Sequence, residues 1–429
     1  MRSACVAFAL LACRAIVAAD AVDPSTLDNK VLIGYQGWFT CPEDDSKRWT
    51  HWSRGVPTPE TLTIEMYPDV SELDPDERCA IPGMTIGGNP AYLFSSRNAK
   101  TVSRHFRWMR DYGLDGVLVQ RFVGEIRRKR AEGDVVLKNI MAAAKESGRT
   151  FAIEYDISGG NPETFAQTLK DDWMYLVDEL KVAAHPNYQR HNGKPVLSIW
   201  GMGLDDGPGH PPPDAQSAKD LIEWFKSKSP AAYHATYMGG TPARWGTLSN
   251  DSKKDPAWAE VYASMDVIQP WNVGRYGSLE AVDRWKQDVL SPDVKLTAAN
   301  RQMYMPVVFP GFSWTNLKKN NRPNQIPRLR GEFLWRQAYN AKMAGARVLK
   351  IAMFDEVDEG TAIFKVVSHR SEAPEQGFWL TLDADGADLP SDWYLRLAGE
   401  ITRMFHGEIQ PDARLPEHPG PKTKPPARR

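Results

Sequence analysis

Four carboxylates follow an apolar segment near the C-terminal end of the chain. The segment 348–354 is succeeded by Asp355, Glu356, Asp358 and Glu359. Like charges at such close spacing raise one another's pKa. One carboxyl can then stay protonated as a general acid while a neighbour stays ionised as a base or nucleophile, which is the division of roles that glycosidic bond hydrolysis needs. A solvated acidic loop and a calcium site are the alternatives, since clustered carboxylates also bind hard cations.

The elements that would position these acids alternate between strand and helix from residue 30 onward. Apolar runs predict strands at 31–35, 115–120, 151–156, 195–200, 232–238, 266–271, 303–309 and 348–354. Helical spacing predicts helices at 97–112, 135–146, 162–184, 215–228, 257–263, 278–289, 329–344 and 393–405.

Strands that are apolar nearly throughout indicate a parallel sheet covered by helices. Eight such repeats predict an α/β fold, a single (β/α)8 TIM barrel over residues 28–406. An open doubly wound sheet is the alternative, and it usually carries a glycine-rich phosphate loop. The sequence has no Gly-x-Gly-x-x-Gly between a predicted strand and a helix, and no Walker motif.

Active sites of this fold form at the C-terminal ends of the strands. The candidate catalytic residues are Glu356 and Glu359. The candidate substrate-binding residues at the strand ends are Tyr35, Gln36, Trp38, Gln120, Arg121, Asp156, Trp200, Trp271, Asp355 and Asp358. Amides, carboxylates and aromatic rings are the groups that read sugar hydroxyls and stack on sugar faces. Because no His or Cys stands among them, we expect no metal and no cofactor.

Some of these candidates have a second interpretation. Asp156 precedes Ser158-Gly159-Gly160 and is either a substrate ligand, a second catalytic acid, or an ordinary turn aspartate. Trp38, Trp200 and Trp271 are either sugar platforms or packing at the barrel mouth. Glu154 shares the inward face with Asp156, and a buried carboxylate there needs a partner, for which Arg121 is the candidate.

Composition narrows the class of partner. The 429 residues carry 53 basic and 54 acidic side chains, a formal net charge of −1. That balance gives no electrostatic basis for binding nucleic acid or an anionic membrane. The chain contains 15 Trp, which fits sugar stacking as well as a large core.

The N-terminus predicts export. Arg2, the apolar run 4–13 and the small residues at 17–21 are typical of a signal peptide over residues 1–21, which implies a secreted or periplasmic protein. Residues 10–13, Leu-Leu-Ala-Cys, also resemble a lipobox, so a lipoprotein signal ending at residue 12, with a lipid anchor on Cys13, is the alternative. Cys41 and Cys79 are expected to form a disulfide. The tail 411–429, rich in Pro, Lys and Arg, is expected to be disordered.

Three segments carry a family resemblance. Residues 31–39 (VLIGYQGWF), 193–197 (GKPVL) and 355–361 (DEVDEGT) together resemble the glycoside hydrolase family 71/99 group, which contains α-1,3-glucanases and endo-α-mannosidases. Family 99 enzymes carry Glu-Trp-His-Glu-Gly-Thr after the last strand. Glu356 and Glu359 match its two glutamates, whereas Val357 and Asp358 stand where the family has Trp and His.

The resemblance implies a role for each glutamate. Glu356 would act as the base, deprotonating the sugar's own 2-hydroxyl so that it attacks the anomeric carbon. Glu359 would protonate the leaving oxygen, and the configuration would be retained. A conventional nucleophile mechanism is the alternative route. A non-catalytic glycan-binding protein on a barrel scaffold is the alternative function, and a metal-dependent hydrolase is disfavoured by the missing His ligands.

Overall fold

The computed structural model of the chain describes residues 21–205, 214–319 and 322–420. The strands are β1 (Val31–Tyr35), β2 (Cys79–Ile86), β3 (Asn89–Leu93), β4 (Gly116–Phe122), β5 (Thr150–Asp156), β6 (Arg190–His191), β7 (Lys194–Trp200), β8 (Thr236–Thr241), β9 (Val267–Pro270), β10 (Met303–Tyr304), β11 (Val307–Val308) and β12 (Leu349–Ile351). The helices are α1 (Ala99–Asp111), α2 (Val123–Ser147), α3 (Phe165–Asp178), α4 (Ala215–Glu223), α5 (Ala257–Ala263), α6 (Leu279–Trp285), α7 (Ser291–Ala299), α8 (Thr315–Lys318), α9 (Glu332–Met343) and α10 (Trp393–His406).

The parallel strands close into a ring. Pairing runs from β12 through β1, β4, β5, β7, β8 and β9 to β10, and β11 pairs with β12. β10 and β11 are two pieces of one strand, interrupted at Pro306, which has no N–H to donate. With β10 and β11 counted as one, the described residues form a barrel of eight parallel strands, which confirms the predicted (β/α)8 fold. A closed ring has no edge, so the open doubly wound sheet is excluded.

The fifth barrel strand is displaced from its prediction. The expected segment 232–238 begins in a helical turn, and β8 runs over Thr236–Thr241. Positions 239 and 240 of this strand are glycine because close neighbours leave no room for a side chain. A Cβ on Gly239 would lie 2.0 Å from Met265 Sδ, and one on Gly240 would lie 2.6 Å from Trp200 Cα. The glycines therefore mark close packing rather than the end of the strand.

The helix α2 is longer than the segment 135–146 that its apolar spacing predicts. It begins at Val123 and has non-helical backbone angles at Lys129. Its first half contains two glycines and four consecutive basic residues, 127–130, so neither propensity nor apolar spacing identifies it as a helix.

The insertion after β1 is tied together covalently. Its hairpin β2–β3 is antiparallel, and a disulfide joins Cys41 to Cys79 across 38 residues of sequence. This confirms the predicted pairing. Closing a loop of that length stabilises the fold by roughly 4 kcal/mol in the chain-entropy description.

The predicted signal peptide and Cys13 lie outside the described residues, apart from the last signal residue, Ala21. At the other end, Trp335 Nε1 donates to the Asp412 carbonyl at 2.9 Å and Leu415 packs against the core. The rest of the expected disordered tail, 421–429, is also outside the described residues. No described helix is both long enough and apolar enough to span a membrane.

Candidate active site

The ends of β1 and β12 bring Gln36 and Glu356 together. Gln36 Nε2 donates to Glu356 Oε1 at 2.7 Å, and Thr361 Oγ1 donates to Glu356 Oε2 at 2.8 Å. Both carboxyl oxygens of Glu356 therefore have a fixed donor. Only 5% of Glu356 is exposed, whereas Glu359 is half-buried. The acid loop, residues 355–361, thus places one glutamate deep in the site and the other nearer its surface.

Backbone contacts fix the shape of the acid loop. The N–H groups of Thr361 and Ala362 both donate to the Glu356 carbonyl at 3.1 Å. Arg328 Nη2 donates to the Gly360 and Ala362 carbonyls at 2.8 and 2.7 Å. Gly360 has φ +64°, and a Cβ there would also lie 3.0 Å from Ser313 N. The loop therefore requires glycine at this position, and a buried arginine holds it against the barrel.

Burial dominates the electrostatics of the acid loop. Desolvation, followed by the charges of Glu359 and Asp358, raises the pKa of Glu356 well above its usual value. Desolvation and the charge of Asp358 raise the pKa of Glu359 to about 7. Desolvation also raises the pKa of Asp355 to about 7. These carboxyls can therefore hold protons at neutral pH, which a solvated acidic loop would not do.

Asp358 faces the insertion rather than the barrel axis. It is 4% exposed, and its Oδ2 lies 3.9 Å from His51 Nδ1. His51 stacks on Trp38 with ring centroids 3.8 Å apart and an interplanar angle of 5°. Phe122 also stacks on Trp38 at 5.5 Å. Trp38 is therefore half-covered by aromatic neighbours, and this favours packing over a free sugar platform.

A buried ion pair lies inside the barrel beneath the site. Lys350 Nζ is 2.6 Å from Glu154 Oε2, and both side chains are fully buried. Gln120 Nε2 donates to Glu154 Oε2 at 2.6 Å, and Ser198 Oγ donates to Oε1 at 2.9 Å. Lys350, not the expected Arg121, is thus the partner of Glu154. This network orients Gln120 at the mouth of the barrel.

Two tryptophans meet at the barrel mouth from the ends of β7 and β9, which flank β8. Trp200 and Trp271 are both half-buried, and their rings meet edge-to-face at 5.5 Å and 80°. Lys350 Nζ lies 5.3 Å from the Trp271 ring centroid. Each ring presents part of its surface at the barrel mouth, as the sugar-platform interpretation requires.

Three expected substrate-binding residues do not reach the mouth. Tyr35 is fully buried, and its hydroxyl hydrogen-bonds with His105 Nδ1 at 2.9 Å in the helix layer. Arg121 points outward from β4 and pairs with Asp172 at 2.5 Å and Asp134 at 3.1 Å. Strand alternation explains both, since adjacent side chains face opposite sides of the sheet. The prediction that Tyr35 and Arg121 bind substrate at the barrel mouth is therefore wrong, because both side chains face the helices.

Asp355 is the third residue and has a structural role. Its two carboxyl oxygens accept the N–H groups of Gln36 and Gly37 at 2.8 and 2.9 Å. It is fully buried and joins the end of β1 to the acid loop. It therefore positions Gln36 and exposes no surface at the mouth of the barrel. Asp156, by contrast, is half-buried at the end of β5, with Oδ1 accepting from Ser158 N at 2.7 Å.

Sequence reasoning missed two residues of the site, His51 and Glu65. Glu65 is fully buried, accepts from Ser313 Oγ at 2.8 Å, and has a pKa raised by desolvation to about 7. Both residues come from the insertion, where no periodicity marks them. Among the described residues, the one convergent group of possible metal ligands is Cys41, Glu43 and Cys79, whose cysteines form the disulfide.

Solved structures that share this architecture include glycoside hydrolases. A family 99 endo-α-mannosidase from Bacteroides thetaiotaomicron superposes with a TM-score of 0.64 at 17% identity, over 89% of this chain and 99% of that one. A complex of a family 99 endo-α-mannosidase from that organism with BIS-TRIS-propane gives 0.62 at 19% identity, with the same coverage of both chains. This chain shares their fold.

A third structure, described as a glycoside hydrolase-like protein, has a TM-score of 0.54 at 13% identity, over 89% of this chain and 96% of that one. No family model matches the chain, and no curated protein matches it either. The sequence resemblance to the family 99 group and the shared three-dimensional fold therefore agree, although identity is low.

Proposed function

We propose that this protein is a retaining glycoside hydrolase that cleaves α-glycosidic bonds in a polysaccharide or glycan. Glu356 is the base or nucleophile, and Glu359 is the general acid. The observation that carries the proposal is the pair of glutamates, one buried and one half-buried and both with raised pKa values, at the C-terminal end of the last barrel strand. The shared family 99 fold and the matching Glu-x-x-Glu-Gly-Thr spacing support it.

The two glutamates have different surroundings. Gln36 and Thr361 donate to both oxygens of Glu356, and hydrogen bonds to a carboxylate favour its ionised form. Glu359 lacks that pair of donors and has a pKa of about 7, so it can carry a proton at neutral pH. The two donors at Glu356 oppose the desolvation that raises its pKa but do not outweigh it. We therefore assign base action to Glu356 and protonation of the leaving oxygen to Glu359 by their match to the family 99 motif.

The raised pKa values of the two glutamates favour catalysis over glycan binding alone. Binding sugar hydroxyls needs hydrogen-bonding groups but no raised carboxyl pKa, and burying several acids together opposes their ionisation. Sites that keep such groups are typically catalytic. The neighbouring-group route and the covalent route both retain configuration, so the stereochemical outcome does not depend on which one operates.

A hydrolysis screen tests the proposal. α-Linked mannans and glucans, together with activated aryl α-glycosides, are incubated with the protein, and ¹H NMR follows the anomeric proton of the first product. We expect release of the α-anomer. A Glu356→Gln/Glu359→Gln double variant is the control and should be inactive. Binding of the glycans without turnover by wild type would instead identify a glycan-binding protein, and a β-product would exclude retention.

A further inference from the structure

A cavity opens beside Gln36, on the side of the insertion. Its volume is about 110 Å³, and it lies between the ends of β1 and β4 and the first half of α2. Gln36, Trp38 and His51 line it where it adjoins the candidate active site. Its inner wall is apolar, and its rim is charged. A water molecule occupies about 30 Å³ of liquid, so the cavity suits a substituent of a sugar rather than a polysaccharide chain.

Four residues that line this cavity carry buried polar atoms without a hydrogen-bond partner among the described residues: Trp38 Nε1, Gln36 Oε1, Arg97 Nε and Nη1, and Arg130 Nε. Arg130 Nε has an ion-pair partner, Asp172, at 3.3 Å, which leaves the groups of the first three residues. Buried polar groups are nearly always paired, so a cluster of unpaired ones requires an explanation. Two of these groups donate and one accepts. A ligand that carries both acceptor oxygens and a hydroxyl would satisfy all three.

The charge of the rim selects the kind of ligand. Arg97 has a side chain only 9% exposed, and its ion pairs are long, 3.6 Å to Glu132 and 3.8 Å to the exposed Asp45. The other rim cations have closer partners: Arg48 lies 2.6 Å from Glu132, Lys129 lies 2.5 Å from Glu125, and Arg130 lies 3.3 Å from Asp172. Arg97 is therefore the cation with guanidinium donors still available, and buried guanidinium groups prefer anionic oxygens.

We propose that this cavity is a subsite for an anionic substituent of the substrate, a carboxylate or a sulfate ester. Arg97 and the indole N–H of Trp38 donate to its oxygens, and Gln36 Oε1 accepts from a neighbouring sugar hydroxyl. The placement of the sugar rests on the proposed function, because Gln36 Nε2 is the group that donates to Glu356. The substrate class is therefore an acidic glycan.

Arg97 makes this subsite selective. An anionic substituent gains an ion pair with its guanidinium. A neutral sugar leaves the buried guanidinium without an acceptor, which is costly. Discrimination therefore comes from the unpaired donor as well as from the attraction.

Binding of three probes tests the subsite without any turnover. Glucuronic acid, glucose 6-sulfate and glucose are titrated into the wild-type protein and followed by NMR. We expect at least one anionic sugar to bind about tenfold or more tightly than glucose, with affinity falling as salt rises. Arg97→Gln should remove the preference, and Trp38→Phe, which keeps the ring but not its N–H, should reduce it. Arg347→Gln, an arginine that is 64% exposed and paired with Asp28, should leave it unchanged.

The two anionic probes distinguish a uronate subsite from a sulfate subsite. Equal affinities for glucose and both anionic sugars, or a preference that survives both Arg97→Gln and Trp38→Phe, would overturn the proposal. Hydrolysis of neutral glycans without any preference for acidic ones would also overturn it while leaving the glycosidase proposal intact. Anion-selective binding without hydrolysis of any glycan would support the subsite and contradict the glycosidase.

Discussion

Two clusters of charge lie within the same barrel and are built differently. In the barrel interior, Glu154 has Lys350 at 2.6 Å and further donors in Gln120 and Ser198. At the acid loop, the charged neighbours of Glu356 and Glu359 are acidic apart from Lys318, whose opposing effect on Glu359 is the smaller one, and both pKa values are raised. The interior cluster is fully buried and has a cation in direct contact with its carboxylate. Among the described residues, no such ion pair joins Glu356 or Glu359 to a cation.

The difference separates a structural role from a chemical one. A compensated buried pair is held in one ionisation state and fixes the groups around it, here Gln120 at the barrel mouth. An uncompensated group of acids can exchange protons near neutral pH, which is what acid–base catalysis needs. Substitutions in the first cluster should therefore reduce stability, and those in the second should reduce activity.

The largest expected effect is on turnover. Glu359→Gln should lower kcat on substrates with poor leaving groups by roughly 10²–10⁴-fold and spare activated aryl glycosides, which need little protonation. Glu356→Gln should impair both substrate types alike, because the base or nucleophile acts in every glycosylation step. Steady-state kinetics on matched natural and activated substrates measure both effects.

The control for this pair is Glu163→Gln, an exposed glutamate on the loop after β5 at the same face of the barrel. It should behave like wild type. Neither active-site variant should lower the free energy of unfolding appreciably, because each removes a carboxyl from a repulsive group. Wild-type rates in both variants would remove these glutamates from the mechanism and leave Asp156 as the remaining strand-end acid.

In the barrel interior, substitution is expected to reduce stability rather than turnover. Lys350→Met leaves Glu154 buried without its cation, and breaking a buried ion pair from one side costs about 3–5 kcal/mol. Urea denaturation should show this loss, and adding Glu154→Gln should recover part of it. Lys254→Met is the control, since its pair with Asp205 is exposed. A Lys350→Met protein as stable as wild type would show that the pair is not structural.

The pH dependence of activity sharpens the comparison. A general acid must be protonated, so a Glu359 pKa of about 7 predicts that kcat/KM falls as pH rises through 7, approaching tenfold per pH unit. The charge of Asp358 contributes to that raised pKa. Asp358→Asn should therefore lower the pKa of Glu359 and move the alkaline limb to lower pH. A limb that stays in place in this variant would assign it to another group.

The barrel was predictable because strands buried on both faces are apolar nearly throughout, and the acid loop because four carboxylates follow the last of them. Tyr35 and Arg121 were predicted to face the barrel mouth, but they face the helices. An apolar run does not show which of its side chains point inward. Lys350 carried an unused signal, because a lysine inside a buried strand needs a carboxylate. His51 carried none, since the contacts that bring it to Asp358 are all non-local.

The smallest effect concerns the aromatic rings. Trp271 presents part of its face at the barrel mouth, above Lys350, whereas His51 already stacks on Trp38 at 3.8 Å. Trp271→Ala should raise KM roughly fivefold, equivalent to about 1 kcal/mol of stacking, and Trp271→Phe should recover much of the loss because a ring remains. For neutral substrates, Trp38→Phe should change KM less, since packing rather than stacking is its role there.

Unfolding curves for each variant exclude a loss caused by instability, and Trp224→Ala, a tryptophan after α4, is the matched control. If Trp38→Phe raised KM for neutral glycans more than Trp271→Ala did, the sugar platform would lie on the insertion side of the mouth.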